Sequence, residues 1–184
     1  MHSQHILSIF LAASVVGLLP ACTQMTMRSN YSQSMLPDVV KVPAGQRVAM
    51  ETVGTGHLAY ECREKSAMPG TYEWVFVGPE AILTNRAGTR VGTYYGPPAT
   101  WESSDGSKIS GTQLTISPGA PGSIPLQLVK TNPAVGSGSM AGVTYIQRVN
   151  TRGGVAPMLT CDVSKVGKRE LVNYQADYIF YTAM

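Results

Sequence analysis

The sequence predicts an all-β fold: a single domain of about nine short antiparallel strands forming a sandwich or a barrel, with one disulfide. Three observations carry this. Short runs with two-residue alternation recur between Gly, Pro and Asn from Arg47 to the end of the chain. Charged residues make up 14% of the chain, against roughly 25% in an average soluble protein, while 19 Gly and 12 Pro supply turns. No sustained apolar pattern with a helical period follows the amino-terminal segment, and no internal repeat occurs. A chain of 184 residues suffices for one core and is short for two.

Residues 1–21 read as a signal peptide. From Ile6 to Leu19 fourteen residues pass without a charge, short of the roughly 20 that a membrane-spanning helix needs. The preceding MHSQH contains no Lys or Arg. Leu19-Pro20-Ala21-Cys22 resembles the bacterial lipobox, in which a leucine stands three residues before a cysteine that is lipidated and becomes the new amino terminus. Pro20 departs from the usual residue at its position. The resemblance implies lipidation of Cys22 and a membrane partner through that anchor, each buried methylene contributing about 0.8 kcal/mol. Thr23, where Asp would signal retention elsewhere, resembles outer-membrane sorting. The expected address is therefore an outer membrane lipoprotein facing the periplasm, and ordinary cleavage near Ala21 would give a secreted or periplasmic soluble protein instead. Residues 22–45 are expected to form the lipidated amino terminus and a tether that ends in an extended, Pro-bounded segment.

The β domain is expected over 46–184. In RVAMETV, Val48, Met50 and Thr52 share a side; in HLAYECR, Leu58, Tyr60 and Cys62 do; in YEWVFV, Tyr72, Trp74 and Phe76 do. TRVGTYY, KISGTQLTIS, IPLQLVK and VTYIQRV follow as further strands. MLTCDV sets Leu159, Cys161 and Val163 on one side, and LVNYQADYIFYT sets Val172, Tyr174, Ala176, Tyr178 and Phe180 on one side, the clearest strand of the set.

With Cys22 used by the anchor, Cys62 and Cys161 are an even pair able to form one disulfide in an oxidising compartment. Each falls on the apolar side of its run, so both sulfurs are expected in the core. Metal ligation is the alternative, but the mature chain keeps only His57, too few soft ligands for a structural zinc site. No metal and no cofactor are expected. The net charge of +3 is spread over single Lys and Arg residues, which argues against nucleic acid as a partner.

Read together, YEWVFVGPEAILTNRAGTRVG, GPPATWESSDGSKISG, IPLQLV, VTYIQRVNTRGGVAP and YQADYIFY resemble the family catalogued as domain of unknown function 3455, from about Ala44 to Thr182. The resemblance implies a secreted or envelope protein, brings no activity, and implies the cysteine pair in YEC and LTC. The family pattern often has a histidine and a shorter G-x-x-W-E approach where this chain has Thr93 to Trp101, a departure that weakens an enzymatic reading.

Four constellations contain residue types that can carry chemistry. In TWESSDGSKISG, Asp105-Gly106 predicts a hairpin turn whose Asp side chain bonds its own amides. The functional reading places Tyr94, Tyr95, Trp101, Glu102 and Asp105 at a loop rim, where flat rings and carboxylates would bind a saccharide or another small molecule. Glycoside hydrolysis by Glu102 and Asp105 is the enzymatic alternative, and it needs carboxyls about 5 to 9 Å apart across a cleft. His57, Asp105 and Ser107 lack the spacing of a nucleophile elbow. Gly136 to Gly142 lacks the following helix of a dinucleotide loop and reads as a hairpin loop. Arg148 and Arg152 could bind an anion near Gly153-Gly154, or Arg148 could pair across the sheet. The expected function is an envelope-anchored lipoprotein with a non-catalytic ligand-binding or structural β domain; a purely structural component would have no pocket near Trp101.

Overall fold

The computed structural model describes residues 31–184; the expected signal peptide, Cys22 and the first part of the tether lie outside the described residues. Among the described residues eight strands form one closed antiparallel barrel: β1 (Gln46–Glu64), β2 (Tyr72–Thr84), β3 (Arg90–Tyr95), β4 (Thr100–Ser103), β5 (Lys108–Ser117), β6 (Leu126–Thr131), β7 (Val143–Gly153) and β8 (Arg169–Ala183). Each strand pairs with its neighbours in sequence, and β8 closes on β1 from Gln46↔Ala183 to Glu61↔Arg169. Closure removes both sheet edges and decides for a barrel over a sandwich.

The strand count differs from nine for three reasons. RVAMETV and HLAYECR are halves of one 19-residue strand, β1, because Gly54 and Gly56 continue it instead of ending it. Gly54 makes room at the barrel centre: a Cβ there would lie 2.6 Å from the Tyr178 ring. TWES, expected only as an arm of a turn, is β4. MLTCDV is not a strand. Leu159 and Val163 are 58% and 72% exposed, and this stretch belongs to the long β7–β8 connection. Alternation over so few residues arose without a partner strand to use it.

Cys161 therefore reaches the barrel from a connection and not from a strand. It bonds Cys62, on the inward side of β1 with Leu58 and Tyr60, with Cα atoms 5.6 Å apart. Closing a loop with 99 residues of separation stabilises the fold by roughly 4.7 kcal/mol on the chain-entropy account. Trp74 Nε1 donates to the carbonyl of Leu159 at 2.7 Å and ties the same connection to β2.

One core lies inside the barrel and includes Leu83, Trp101, Ile109, Ile146, Tyr178 and Phe180. The inward set of β8 matches the alternation of its sequence. A second cluster lies outside the wall: Val40 and Val42 pack on Leu128, Val149, Ile179 and Tyr181. From Tyr31 onward the expected tether is thus a strap laid along β6 to β8. Gln147, fully buried on the outer side of β7, fastens it: its Nε2 donates to the carbonyl of Val40 at 2.6 Å, and its Oε1 accepts from Tyr181 OH at 2.7 Å and Tyr31 OH at 3.1 Å. Burial pushes the Tyr31 phenol up to about 12. A register shift between Val48 and Met50 puts Val48 against the strap and Met50 inside, so these two do not share a side as alternation implied.

Candidate functional site

Alternation along β3 and β4 separates the five residues expected at one rim. Tyr94 pairs with Trp101 across these strands and Tyr95 with Thr100. Tyr94 and Trp101 face the interior, where their rings stack with centroids 4.6 Å apart and 19° between planes. Tyr178 meets Tyr94 at 5.0 Å and Trp101 edge-on at 5.8 Å. Trp101 is 1% exposed, so it is a core ring and not a rim platform. Its Nε1 has no hydrogen-bond partner among the described residues and is sealed from solvent.

Tyr95 and Glu102 are on the outside. The Tyr95 hydroxyl donates to Glu102 Oε2 at 2.7 Å, and that bond raises the Tyr95 phenol above its ordinary range. Asp105 is in the β4–β5 turn. Its Oδ1 accepts from Ser107 N at 2.9 Å and Ser107 Oγ at 2.5 Å, as the turn chemistry predicted. Its Oδ2 accepts from Ser139 N at 2.8 Å and Ser139 Oγ at 2.7 Å, from the β6–β7 connection 34 residues away. The Ser107 and Ser139 hydroxyls hold the Asp105 carboxyl well below the usual carboxylate range. Gly138 has φ +143, and a Cβ there would lie 2.6 Å from the Asp105 carboxylate. Ser107 Oγ accepts from Met140 N at 3.1 Å, and Met140 is buried in the barrel core. Gly136 to Gly142 is a hairpin loop as read, and here it caps the barrel. His57 is exposed on β1 and shares no hydrogen bond with Asp105 or Ser107.

The two barrel ends can now be told apart. At the near end, where β1 begins, the connections after β2, β4 and β6 gather, and Asp105 locks two of them together. At the far end are the connections after β1, β3, β5 and β7. There the interior opens into a cavity of about 340 Å³. Leu58 and Tyr60 of β1, Phe76 of β2, Tyr94 and Trp101 contribute one side of its wall. Gly111, Gln113, Gln127, Val129 and Arg148 contribute the other, with Ala99, Ile124 and Pro125 from the connections. Phe76, 51% exposed, stands at the mouth and meets Tyr60 edge-on at 5.8 Å. Gln127 Nε2 donates to Gln113 Oε1 at 2.6 Å. The Tyr60 hydroxyl donates to the carbonyl of Gly154 at 2.7 Å.

Arg148 lies on the inward side of β7, with Nε and Nη2 donating to the carbonyl of Pro125 at 3.2 and 3.0 Å. Arg152, by contrast, is exposed beyond a register shift that places Asn150 at φ +49, so the two arginines do not converge on Gly153-Gly154. Burial raises the phenols of Tyr94, Tyr174 and Tyr178, with Arg148 a smaller opposing influence on each, so these rings stay neutral. Tyr174 and Tyr178 share a hydrogen bond of 3.2 Å. Sequence reasoning missed the cavity because its lining comes from seven strands, and only Tyr94, Trp101 and Arg148 had been singled out. It also missed the cluster outside the wall in which Arg86 joins Asp177 at 2.9 Å and Glu51 at 3.0 Å. Among the described residues no group of three His, Cys, Asp or Glu is placed to hold a metal ion.

Fold and cavity define a class: an up-and-down, eight-stranded barrel pinned by one disulfide, filled with aromatic side chains and hollow at one end. The chain belongs to the family described as protein of unknown function (DUF3455), whose model matches residues 43–182. That span covers the barrel except for the last residue of β8 and leaves most of the strap outside it. No curated protein and no solved structure matches the chain.

Proposed function

We propose that this chain is an envelope-anchored, non-catalytic binding protein that takes a small ligand into the far end of its barrel. The cavity of about 340 Å³ is the observation that carries this reading. Ligand sites run from about 300 to 1,000 Å³, so the ligand is small. An eight-stranded barrel is just wide enough to be filled by its own side chains or to hold one small ligand. Here the near half is filled and the far half is not. Apolar and aromatic walls with few polar groups are the usual lining of such sites.

The non-catalytic part is supported by the positions of Glu102 and Asp105, neither of which lines the cavity, and by the bonds that occupy them. The anchor rests on the lipobox-like run ending at Cys22. The Cys62–Cys161 bond favours an oxidising compartment such as the periplasm. Eight residues, Thr23 to Asn30, separate Cys22 from the strap, and a chain of that length spans at most about 28 Å. A lipid on Cys22 would therefore hold the barrel close to the membrane surface.

Melting the intact protein with a panel of small aromatic, aliphatic and saccharide compounds tests the binding role. A ligand of the native state raises the midpoint with concentration, and a panel with no shift overturns the reading. The intact mass of membrane-extracted protein tests the anchor. A chain beginning at an acylated Cys22 is expected, and an unmodified Cys22 contradicts it.

A further inference from the structure

On the reading that the far-end cavity binds a ligand, we infer that the ligand class is small organic acids: the carboxylate docks on Arg148 and an apolar, preferably aromatic, body lies against Tyr60, Tyr94 and Val129. Among the described residues the cavity wall holds a charge without a counter-charge. Arg148 is the one charged residue among the described residues lining the cavity. It takes part in none of the ion pairs among the described residues; the acids there engage Arg63, Arg86, Arg169 and three lysines, all elsewhere. Its neighbours within electrostatic reach are the phenols of Tyr60, Tyr94, Tyr174 and Tyr178, which burial keeps neutral.

A half-buried guanidinium facing an apolar wall has lost water without gaining an anion, and such desolvation is costly. A guanidinium carries five N–H donors. Two of its nitrogens donate to the carbonyl of Pro125, a neutral acceptor that fixes the plane of the group and leaves donors over. A fixed fork is the geometry that receives both oxygens of a carboxylate, and its immobility lowers the entropy lost on binding. The remaining wall selects against a bare anion. The Tyr60 hydroxyl is taken up by the Gly154 carbonyl and the Gln127 amide by Gln113, and Leu58, Ile124, Val129 and the ring faces of Tyr60 and Tyr94 give phosphate or sulfate no donor, whereas an organic body covers them and gains from every apolar contact.

Calorimetric titration of the intact protein with 2-naphthoate, its neutral amide 2-naphthamide, and inorganic phosphate tests the inference. Naphthoate is expected to bind at least about tenfold more tightly than the amide, as a charge-assisted pair on a partly buried arginine should give, and phosphate to bind negligibly. Arg148→Gln, checked for intact packing by near-ultraviolet dichroism, is expected to bring both organic compounds to the affinity of the amide, and Arg148→Lys to keep part of the preference. Equal affinities in the unaltered protein overturn the acid preference while leaving the cavity as a binding site. Naphthoate preference that survives Arg148→Gln, or binding of phosphate alone, also overturns it. If neither organic compound binds, the binding role itself falls. Should Arg148→Gln fail to fold, the naphthoate-to-naphthamide ratio of the unaltered protein decides.

Discussion

The two ends of this barrel are finished by opposite means. At the near end a polar lock does the closing: Asp105 bonds Ser107 and Ser139, and the loop so held lays Met140 into the core. At the far end the connections are tied back to the wall, one through Cys62–Cys161 and another through Arg148 to Pro125, and a cavity stays between them. The near end spends its polar groups on itself. The far end keeps Arg148 and aromatic faces in the wall of a cavity. The contrast teaches that side chains chosen by residue type alone, such as an acid beside a tryptophan, do not reveal a site; the direction each one faces does.

Substitutions at the two ends should separate these roles, and the largest effect is expected in the shared core. Trp101→Ala removes a fully buried ring stacked on Tyr94, and should cost about 3–5 kcal/mol in urea unfolding. A loss under about 1 kcal/mol would mean that the interior is not packed as described. Replacing both Cys62 and Cys161 by Ala should cost about 2–4 kcal/mol, read in the same assay with reduction of the native protein as a control. Gln147→Leu removes the donor to the Val40 carbonyl and the acceptor of the Tyr181 and Tyr31 hydroxyls, and should cost about 1–3 kcal/mol. Hydrogen exchange should then rise over the strap and not at the far-end mouth.

Smaller effects distinguish the near-end lock from the outer surface. The Asp105 carboxyl is depressed by its Ser107 and Ser139 bonds. Its contribution is therefore complete above the ordinary carboxylate range near 3.8 and is lost as pH falls through that range toward the depressed native value. Asp105→Asn should speed amide exchange at Gly138 to Met140 at neutral pH and flatten the dependence of that exchange on acidification. Glu102→Gln, on the outer surface, should change stability by no more than about 0.5 kcal/mol. It should also lower the Tyr95 phenol in an ultraviolet titration, since the bond to Glu102 is what raises it.

Much of the fold was legible. Val172 to Phe180 alternate into the core as read, because β8 is flanked by strands on both sides and buries one face without interruption. The disulfide was legible from cysteine bookkeeping. The register shift after Val48 was not, since a bulge adds a residue without any mark in composition. Nor was the strap: Val40 and Val42 occur in a short segment with no period, and only the outward apolar residues Leu128, Val149 and Ile179 give them a surface to cover. Of the candidate site, Tyr94 and Trp101 line the cavity but are interior where a rim was expected. The cavity itself is a property of closure, which no local run encodes.

Chemical-shift mapping of the isotope-labelled protein during titration with 2-naphthoate tests the account most directly. It predicts shifts concentrated at Gly111, Val129, Arg148 and the Trp101 indole, with Gly106 and Gly138 at the other end unmoved. Shifts scattered over the outer wall, or centred on the Asp105 lock, would contradict it.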